Sequence, residues 1–255
     1  MDEIDKRILY YYLRDGRASQ REISKELNIS PQVLKYRFDK MVSSGIIKKF
    51  VLHMDPAFER LSKAFVAVKN KHDLKNIFTE ISCLEETTIY GLYGTKEDIM
   101  KNIMMLKNNS ERLAMEYIPE INNNINIMDY DRLIVEELKK DPRKPASDIA
   151  KDLNLSYKLV SRRIDYLKRK HLISIVPIID LSMTDISIFV IFSSKFNDLK
   201  SMIDDISIIN VEDKTYGLAV LLSENLLNAK NIIERCRTID KNLNVMVVYN
   251  YQFYS

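Results

Sequence analysis

Displaced by 126 positions, the sequence matches itself without a gap for more than fifty residues. Asp5 falls on Asp131, Ile8 on Ile134, Asp15 on Asp141, Arg17 on Arg143, Ile23 on Ile149 and Lys25 on Lys151. Leu27-Asn28 falls on Leu153-Asn154, Ser30 on Ser156, Arg37 on Arg163 and Ile47 on Ile173. The register returns where Tyr90-Gly91-Leu92 meets Tyr216-Gly217-Leu218. A period this long is not a solenoid unit, whose repeats span 20–50 residues. It is a duplicated protein, so any fold proposed for one half must serve twice. The Asn-rich run from Ile121 to Asn126 has no apolar face and reads as the linker between copies.

In the first copy, Ile4, Ile8, Leu9, Tyr12 and Leu13 recur at helical spacing over residues 2–14, and Asp15-Gly16 stops that helix. Ser19-Gln20-Arg21-Glu22 opens a second helix as a capping box. A third follows a tight turn. Asn28 takes the left-handed backbone that ends the second helix, Ser30 caps the third, and Pro31 sits where its missing N–H costs nothing. Val33, Leu34, Phe38 and Met41 are expected to face inward. Gln32, Lys35, Tyr36 and Arg37 are left for solvent or a groove. Residues 46–52 are β-branched and apolar, a strand. Three helices and a strand give a winged helix-turn-helix, a unit that sets its third helix into the major groove of DNA.

After Pro56 the pattern predicts a strand over 63–69, a helix over 73–82, strands over 87–90 and just beyond Gly91, a helix over 97–108 and a strand over 113–118. The order βαββαβ implies a ferredoxin-like sandwich. The second copy repeats the scheme: helices over 129–138, 145–153 and 157–170, a strand over 172–179, then βαββαβ from 186 to 251. Its third helix carries a denser basic face, with Lys158, Arg162, Arg163, Lys168, Arg169 and Lys170. The expected fold class is α+β, two winged helix-turn-helix domains (1–56 and 127–182) alternating with two ferredoxin-like domains (57–121 and 183–255), joined at 122–126.

Composition sets the bounds. The 255 residues are 46% hydrophobic and 29% charged, ordinary for a globular protein, and a net charge of +3 leaves nucleic-acid binding to be decided by clustering. No apolar run approaches the length of a membrane span. The acidic start, Met1-Asp2-Glu3-Ile4-Asp5, is unlike a signal peptide, and Cys83 and Cys236 show neither metal nor disulfide spacing. A cytoplasmic location is expected, with no metal and no cofactor. His53, His72 and His171 are isolated, and no Ser-His-Asp or Cys-His arrangement can be drawn. Met100, Met104 and Met105 read as core filling, and Tyr249, Tyr251 and Tyr254 as one strand face.

Asp5-Lys6-Arg7-Ile8-Leu9, Asp15-Gly16-Arg17, Glu22-Ile23-Ser24-Lys25-Glu26-Leu27, Ser30, Val33, Arg37 and Gly45-Ile46-Ile47 resemble the leucine-responsive/asparagine (Lrp/AsnC) transcription regulators. The downstream unit resembles that family's RAM effector and assembly domain. The chain thus looks like two family subunits fused head to tail. The resemblance implies double-stranded DNA as partner, a RAM domain for assembly and possible effector binding, and either a monomeric pseudo-dimer or a homodimer. The family's Gly-x-x-Asp pattern is matched by Gly91-Leu92-Tyr93-Gly94 and Gly217-Leu218-Ala219-Val220, both without the acid. Gly91 and Gly217 are therefore effector-site candidates, with an amino acid disfavoured.

For DNA, Arg37 and Arg163 are expected to anchor phosphates, and Gln32, Lys35, Tyr36, Lys158, Ser161 and Arg162 to face bases, with Ser30 at the helix start. The plain alternative is that these are solvated helix positions. Two further alternatives stand: siroheme decarboxylases resemble the same fold but are expected to carry His and Arg around a tetrapyrrole and an Arg/Pro-rich loop not evident here, and a sensing or assembly module could have abandoned DNA.

Overall fold

A computed structural model describes residues 1–84, 86–120 and 125–254. Most of the linker, residues 121–124, lies outside the described residues. The first head comprises α1 (Glu3–Arg14), α2 (Gln20–Glu26), α3 (Pro31–Ser43) and β1 (Ile47–Met54). Its counterpart is α5 (Asp129–Lys140), α6 (Ala146–Asp152), α7 (Tyr157–Arg169) and β6 (Ile173–Ile179). The local code works as the sequence implies. Asn28 and Asn154 sit at φ 53° and 52°, and the Ser30 and Ser156 hydroxyls accept the Val33 and Leu159 N–H groups at 3.2 Å. Leu34, Phe38 and Met41 are buried as expected, but Val33 is 42% exposed.

The heads are joined through their wings. β1 and β6 form a two-stranded antiparallel ribbon. Its central pairs are Phe50 opposite Pro177 and Val51 opposite Val176. The 126-residue displacement exchanges these two pairs, so a pseudo-two-fold axis passes between them. Pro177 is tolerated because a two-stranded ribbon leaves one side of each strand unpaired. Around this axis the heads grip one another. α1 packs on β6 and α5 on β1. The Gly16 N–H donates to Ile175 O at 2.9 Å, and a Cβ at Gly16 would lie 2.5 Å from that oxygen, so no larger residue fits. Arg17 donates to Pro142 O at 3.0 Å. Its repeat mate Arg143 lies 4.6 Å from the Phe50 ring and 5.1 Å from both Phe38 and Tyr12, a cation seated on the first head's aromatic cluster.

The remaining strands do not form two separate sheets as expected. β2 (Ser62–Lys69), β3 (Ile77–Cys83), β4 (Thr87–Gly94) and β5 (Leu113–Tyr117) join β7 (Ser187–Ser193), β8 (Ser207–Glu212), β9 (Gly217–Ser223) and β10 (Asn244–Phe253) in one antiparallel sheet, ordered β5-β2-β4-β3-β10-β7-β9-β8. The long β10 makes the seam. Its residues 244–248 pair with β7 and 248–253 with β3. Flat, the sheet would hold β5 and β7 about 24 Å apart at the usual strand spacing. Yet the Tyr117 and Phe192 rings are 5.6 Å apart, and the Tyr117 hydroxyl donates to Tyr216 O at 3.2 Å. The two halves therefore curl to face each other, with Phe65, Ile81, Val190 and Val220 in the core between them. Helix α4 (Lys96–Asn109) covers the outside of the first half, and α8 (Phe196–Ile203) with α9 (Leu226–Ile239) that of the second.

The second copy keeps βαββαβ. The first does not: residues 73–82, expected as a helix, give a loop and then β3. Only seven residues separate β2 from β3, against thirteen between β7 and β8. The segment Ile77-Phe78-Thr79-Glu80-Ile81 alternates β-branched positions and has ladder partners on both sides, in β4 and β10. Weak helix propensity loses to two ladders. The predicted strands on either side of Gly91 are one continuous β4. Met100 and Met104 are not core; they are 42% and 60% exposed on the outer face of α4, whose inner face is Ile99, Ile103 and Leu106. The tyrosines do not form one strand face: Tyr251 is buried while Tyr249, at a register shift in β10, and Tyr254, beyond the strand, are exposed.

The ribbon sits on the seam of the sheet. The Tyr251 hydroxyl donates to Pro177 O at 2.7 Å and accepts the Ile179 N–H at 3.2 Å. Tyr251→Phe leaves both backbone groups buried without a partner and should cost about 1–3 kcal/mol in chemical denaturation. On β1, His53 lies between the Phe78 and Phe253 rings, at 5.6 and 4.9 Å, and its Nδ1 has no hydrogen-bond partner. Burial pushes its pKa down to about 4, with Asp55 acting the other way and Lys63 reinforcing the shift. The folded state thus holds the ring neutral where the unfolded chain protonates it. Stability is complete above the ordinary imidazole value of 6.5 and falls as pH drops from there toward 4. His53→Phe should remove on the order of 1 kcal/mol of that loss, seen as a smaller fall in melting temperature between pH 7 and pH 5 relative to wild type.

Candidate nucleic-acid interface

Each turn between the last two helices of a head presents one face of α3 or α7 to solvent. On α3, Gln32 and Lys35 are exposed and Tyr36 is 68% exposed. Lys35 pairs with Asp39 one turn on, at 2.5 Å; an exposed pair of this kind is weak and easily exchanged for a phosphate. On α7, Lys158 and Arg162 are exposed and, among the described residues, make no ion pair. They line an open groove of about 810 Å³ with Ser161, Tyr157, Asp165, Lys168 and Arg169. Lys168 and Arg169 belong to this surface although the expected contact set omitted them; their place on the dense basic face was the available signal. Lys168 also reaches Asp15 of the first head at 2.6 Å.

The two arginines expected on phosphates are elsewhere. Arg37 Nη1 bonds Asp2 at 2.6 Å and Asp5 at 2.8 Å, both on or capping α1. Arg163 makes a two-pronged pair with Asp131 on α5, Nε to Oδ1 at 2.8 Å and Nη2 to Oδ2 at 2.6 Å, and lies 4.2 Å from the Tyr166 ring. Asp131 is fully buried. Hydrogen bonds to these carboxylates raise both guanidinium pKa values, and the Asp5 N–H followed by Arg37 lowers that of Asp2. Both guanidiniums expected on phosphates are thus engaged by carboxylates of the same head. Arg37 ties α3 to α1, and Arg163 ties α7 to α5, fixing the angle between the paired helices. Ser30 is spent as an acceptor for the cap, leaving its O–H as a donor.

The effector candidates also separate. Gly91 lies opposite Phe65, and a Cβ there would strike Thr79 and Phe78 in the core between the sheet halves. Gly217 lies opposite Ser193, and its Cβ would strike the Phe196 ring on the helix side. They face opposite surfaces of the sheet, so the shared Tyr-Gly-Leu is not a structural equivalence. Each glycine is small because a ring packs on it.

Comparison with known proteins accords with this geometry. A winged helix-turn-helix DNA-binding family model matches residues 1–48 and 129–174, one match per head. The HTH-type transcriptional regulator FL11 of Pyrococcus horikoshii is 34% identical over 116 residues, covering 44% of this chain and 75% of that protein. The uncharacterized HTH-type transcriptional regulator PF1231 of Pyrococcus furiosus is 30% identical over 106 residues, 40% of this chain and 71% of the relative. The chain belongs to the Lrp/AsnC family of HTH-type transcriptional regulators. Within that family it is a tandem form: the two relatives named each match less than half of it, while the family model matches it twice. Among solved structures, the siroheme decarboxylase NirDL aligns with a TM-score of 0.46 and 12% identity, over 100% of this chain and 95% of that one. No helix among the described residues is long and apolar enough to cross a membrane.

Arg162 and Arg163, neighbours on α7, should separate by stability. Arg163→Ala strands the buried Asp131 carboxylate and is expected to cost about 3–5 kcal/mol. Arg162→Ala, at an exposed and unpaired position, should change stability by less than about 0.5 kcal/mol. Urea melts of the two variants check this.

Proposed function

We propose that this chain is a sequence-specific DNA-binding transcription regulator in which one polypeptide does the work of a regulator dimer, with α7 as the stronger reading helix and α3 as the weaker. The observation that carries the reading is the unpartnered cationic face of α7 in a helix-turn-helix repeated on a shared ribbon. Lys158 and Arg162, aided by Arg169, supply phosphate and base-edge contacts; Arg is suited to guanine through paired hydrogen bonds. Gln32, Lys35 and Tyr36 read the other half-site with far less charge, since Arg37 is neutralised by Asp2 and Asp5. Unlike helices imply unlike half-sites, an imperfect palindrome.

A regulator rather than an enzyme is the better-supported reading. The three histidines do not converge: His53 lies under the sheet seam, His72 bonds Ser110 at 2.8 Å, and His171 sits in the turn after α7 at φ 54°. The linking ribbon supports a single chain as the DNA-competent unit.

Gel shifts against the chain's own promoter region test the reading. Lys158→Ala with Arg162→Ala should lower affinity at least about tenfold and reduce the slope of log affinity against log salt by about 2. Lys35→Ala should cost less than either α7 substitution. Affinity and slope unchanged in the α7 double variant would overturn the assignment.

A further inference from the structure

A cleft of about 430 Å³ opens between α1 of the first head and the second half of the sheet. That volume falls in the range of small-molecule sites. Its apolar lining is Ile186, Leu222 and Ile232, with Tyr10 contributed by α1. Arg7 lines it from α1 and Arg235 from α9. Among the described residues neither guanidinium has an ion pair or hydrogen bond, unlike those of Arg17, Arg37 and Arg163. Two unsatisfied forks on the two bodies that enclose an apolar pocket mark a place for an anion with an apolar body.

Charge narrows the class. Lys6, Arg7 and Arg235 meet Asp205 and Glu224 around the cleft, a surplus of one positive charge. Lys6 is already drawn to Asp185 at 3.7 Å, and Glu224 accepts from Asn228 at 3.2 Å. A surplus of one suits a monoanion and disfavours a phosphate dianion. We propose that this cleft binds a small monocarboxylate, its carboxylate held by Arg7 and Arg235 and its hydrocarbon part on Ile186, Leu222 and Ile232.

The other head does not repeat the site. Where α1 has Arg7 and Tyr10, α5 has Leu133 and Glu136, and the residue matching Lys6 is Arg132, which is bonded to Glu59. The cleft also has a mechanical position. α1 bears Asp5 and is capped by Asp2, the two carboxylates that hold Arg37 of α3, so an occupant bridging α1 and α9 bears on the angle of a reading helix. That coupling rests on the DNA-binding reading; the binding itself does not.

Calorimetric titration of the full chain, without DNA, tests the binding directly. The probes are 4-methylpentanoate and its uncharged counterpart 4-methylpentanamide. The acid should bind once per chain and raise the melting temperature. The amide should bind at least about tenfold more weakly. Arg7→Ala and Arg235→Ala, both at exposed positions, should each weaken the acid by about tenfold or more, whereas Arg132→Ala on the other head should not. Absence of acid binding at millimolar concentration, equal binding of acid and amide, or binding undiminished in both cleft variants overturns the proposal. Because no DNA is present, its failure is distinct from failure of the regulator reading.

Discussion

The pairing of β1 with β6 is the interaction on which the arrangement depends. Each head contributes one wing strand, and neither strand has another ladder partner. The ribbon satisfies the backbone of both and puts the heads on either side of an axis between Phe50 and Val51. Everything near it is consistent with a rigid joint: Gly16 admits the β6 backbone, Arg143 sits on Tyr12, Phe38 and Phe50, and Tyr251 fastens Pro177 and Ile179 to the sheet seam. A fixed joint between heads is what a protein needs if two helices are to enter grooves at a set separation. Fusion adds the guarantee that the partner is always present.

Duplication supplied the symmetry, and divergence has spent it unevenly. The second copy kept its complete βαββαβ unit and gathered the unpaired cations on α7. The first copy lost one helix of the unit, and α3 carries fewer cations than α7, with Lys35 paired to Asp39 and Arg37 to Asp2 and Asp5. The cleft beside α1 exists because the first head also packs on β8. The two halves thus differ in both fold and charge.

Local chemistry was legible in the chain and long-range pairing was not. The αL asparagines, the Ser caps, Pro31 and the inward Leu34, Phe38 and Met41 follow from rules acting within a turn or two of helix. The helix over 73–82 failed because its competitor was a ladder with β10, some 170 residues away, which no window of sequence can weigh. The curl that brings Tyr117 to Phe192 is tertiary in the same sense. Helical spacing alone leaves Arg37 and Arg163 free of partners, because the carboxylates that engage them lie on another helix. The clue was present: Asp5 and Asp131 repeat at the same displacement as Arg37 and Arg163, as members of a pair must when a fold is copied. Gly91 and Gly217 repeat too, yet face opposite sides, so a shared tripeptide alone carries less than a shared charge pair.

The placement of β10 has a consequence for how the molecule is made. Residues 77–83 lie in the middle of the sheet, but one side of them is completed only by residues 248–253. During synthesis the first copy can close its own head and pair β2 with β4 and β5. It must then wait, with a bare β3 flank, while the 130 residues from 118 to 247 are translated. A waiting flank is a template for any passing strand, including β10 of another chain. Loops this long also close slowly. The same strand that welds two ancestral subunits into one therefore makes the newborn chain dependent on its own far end, and leaves strand exchange between neighbours as its characteristic error.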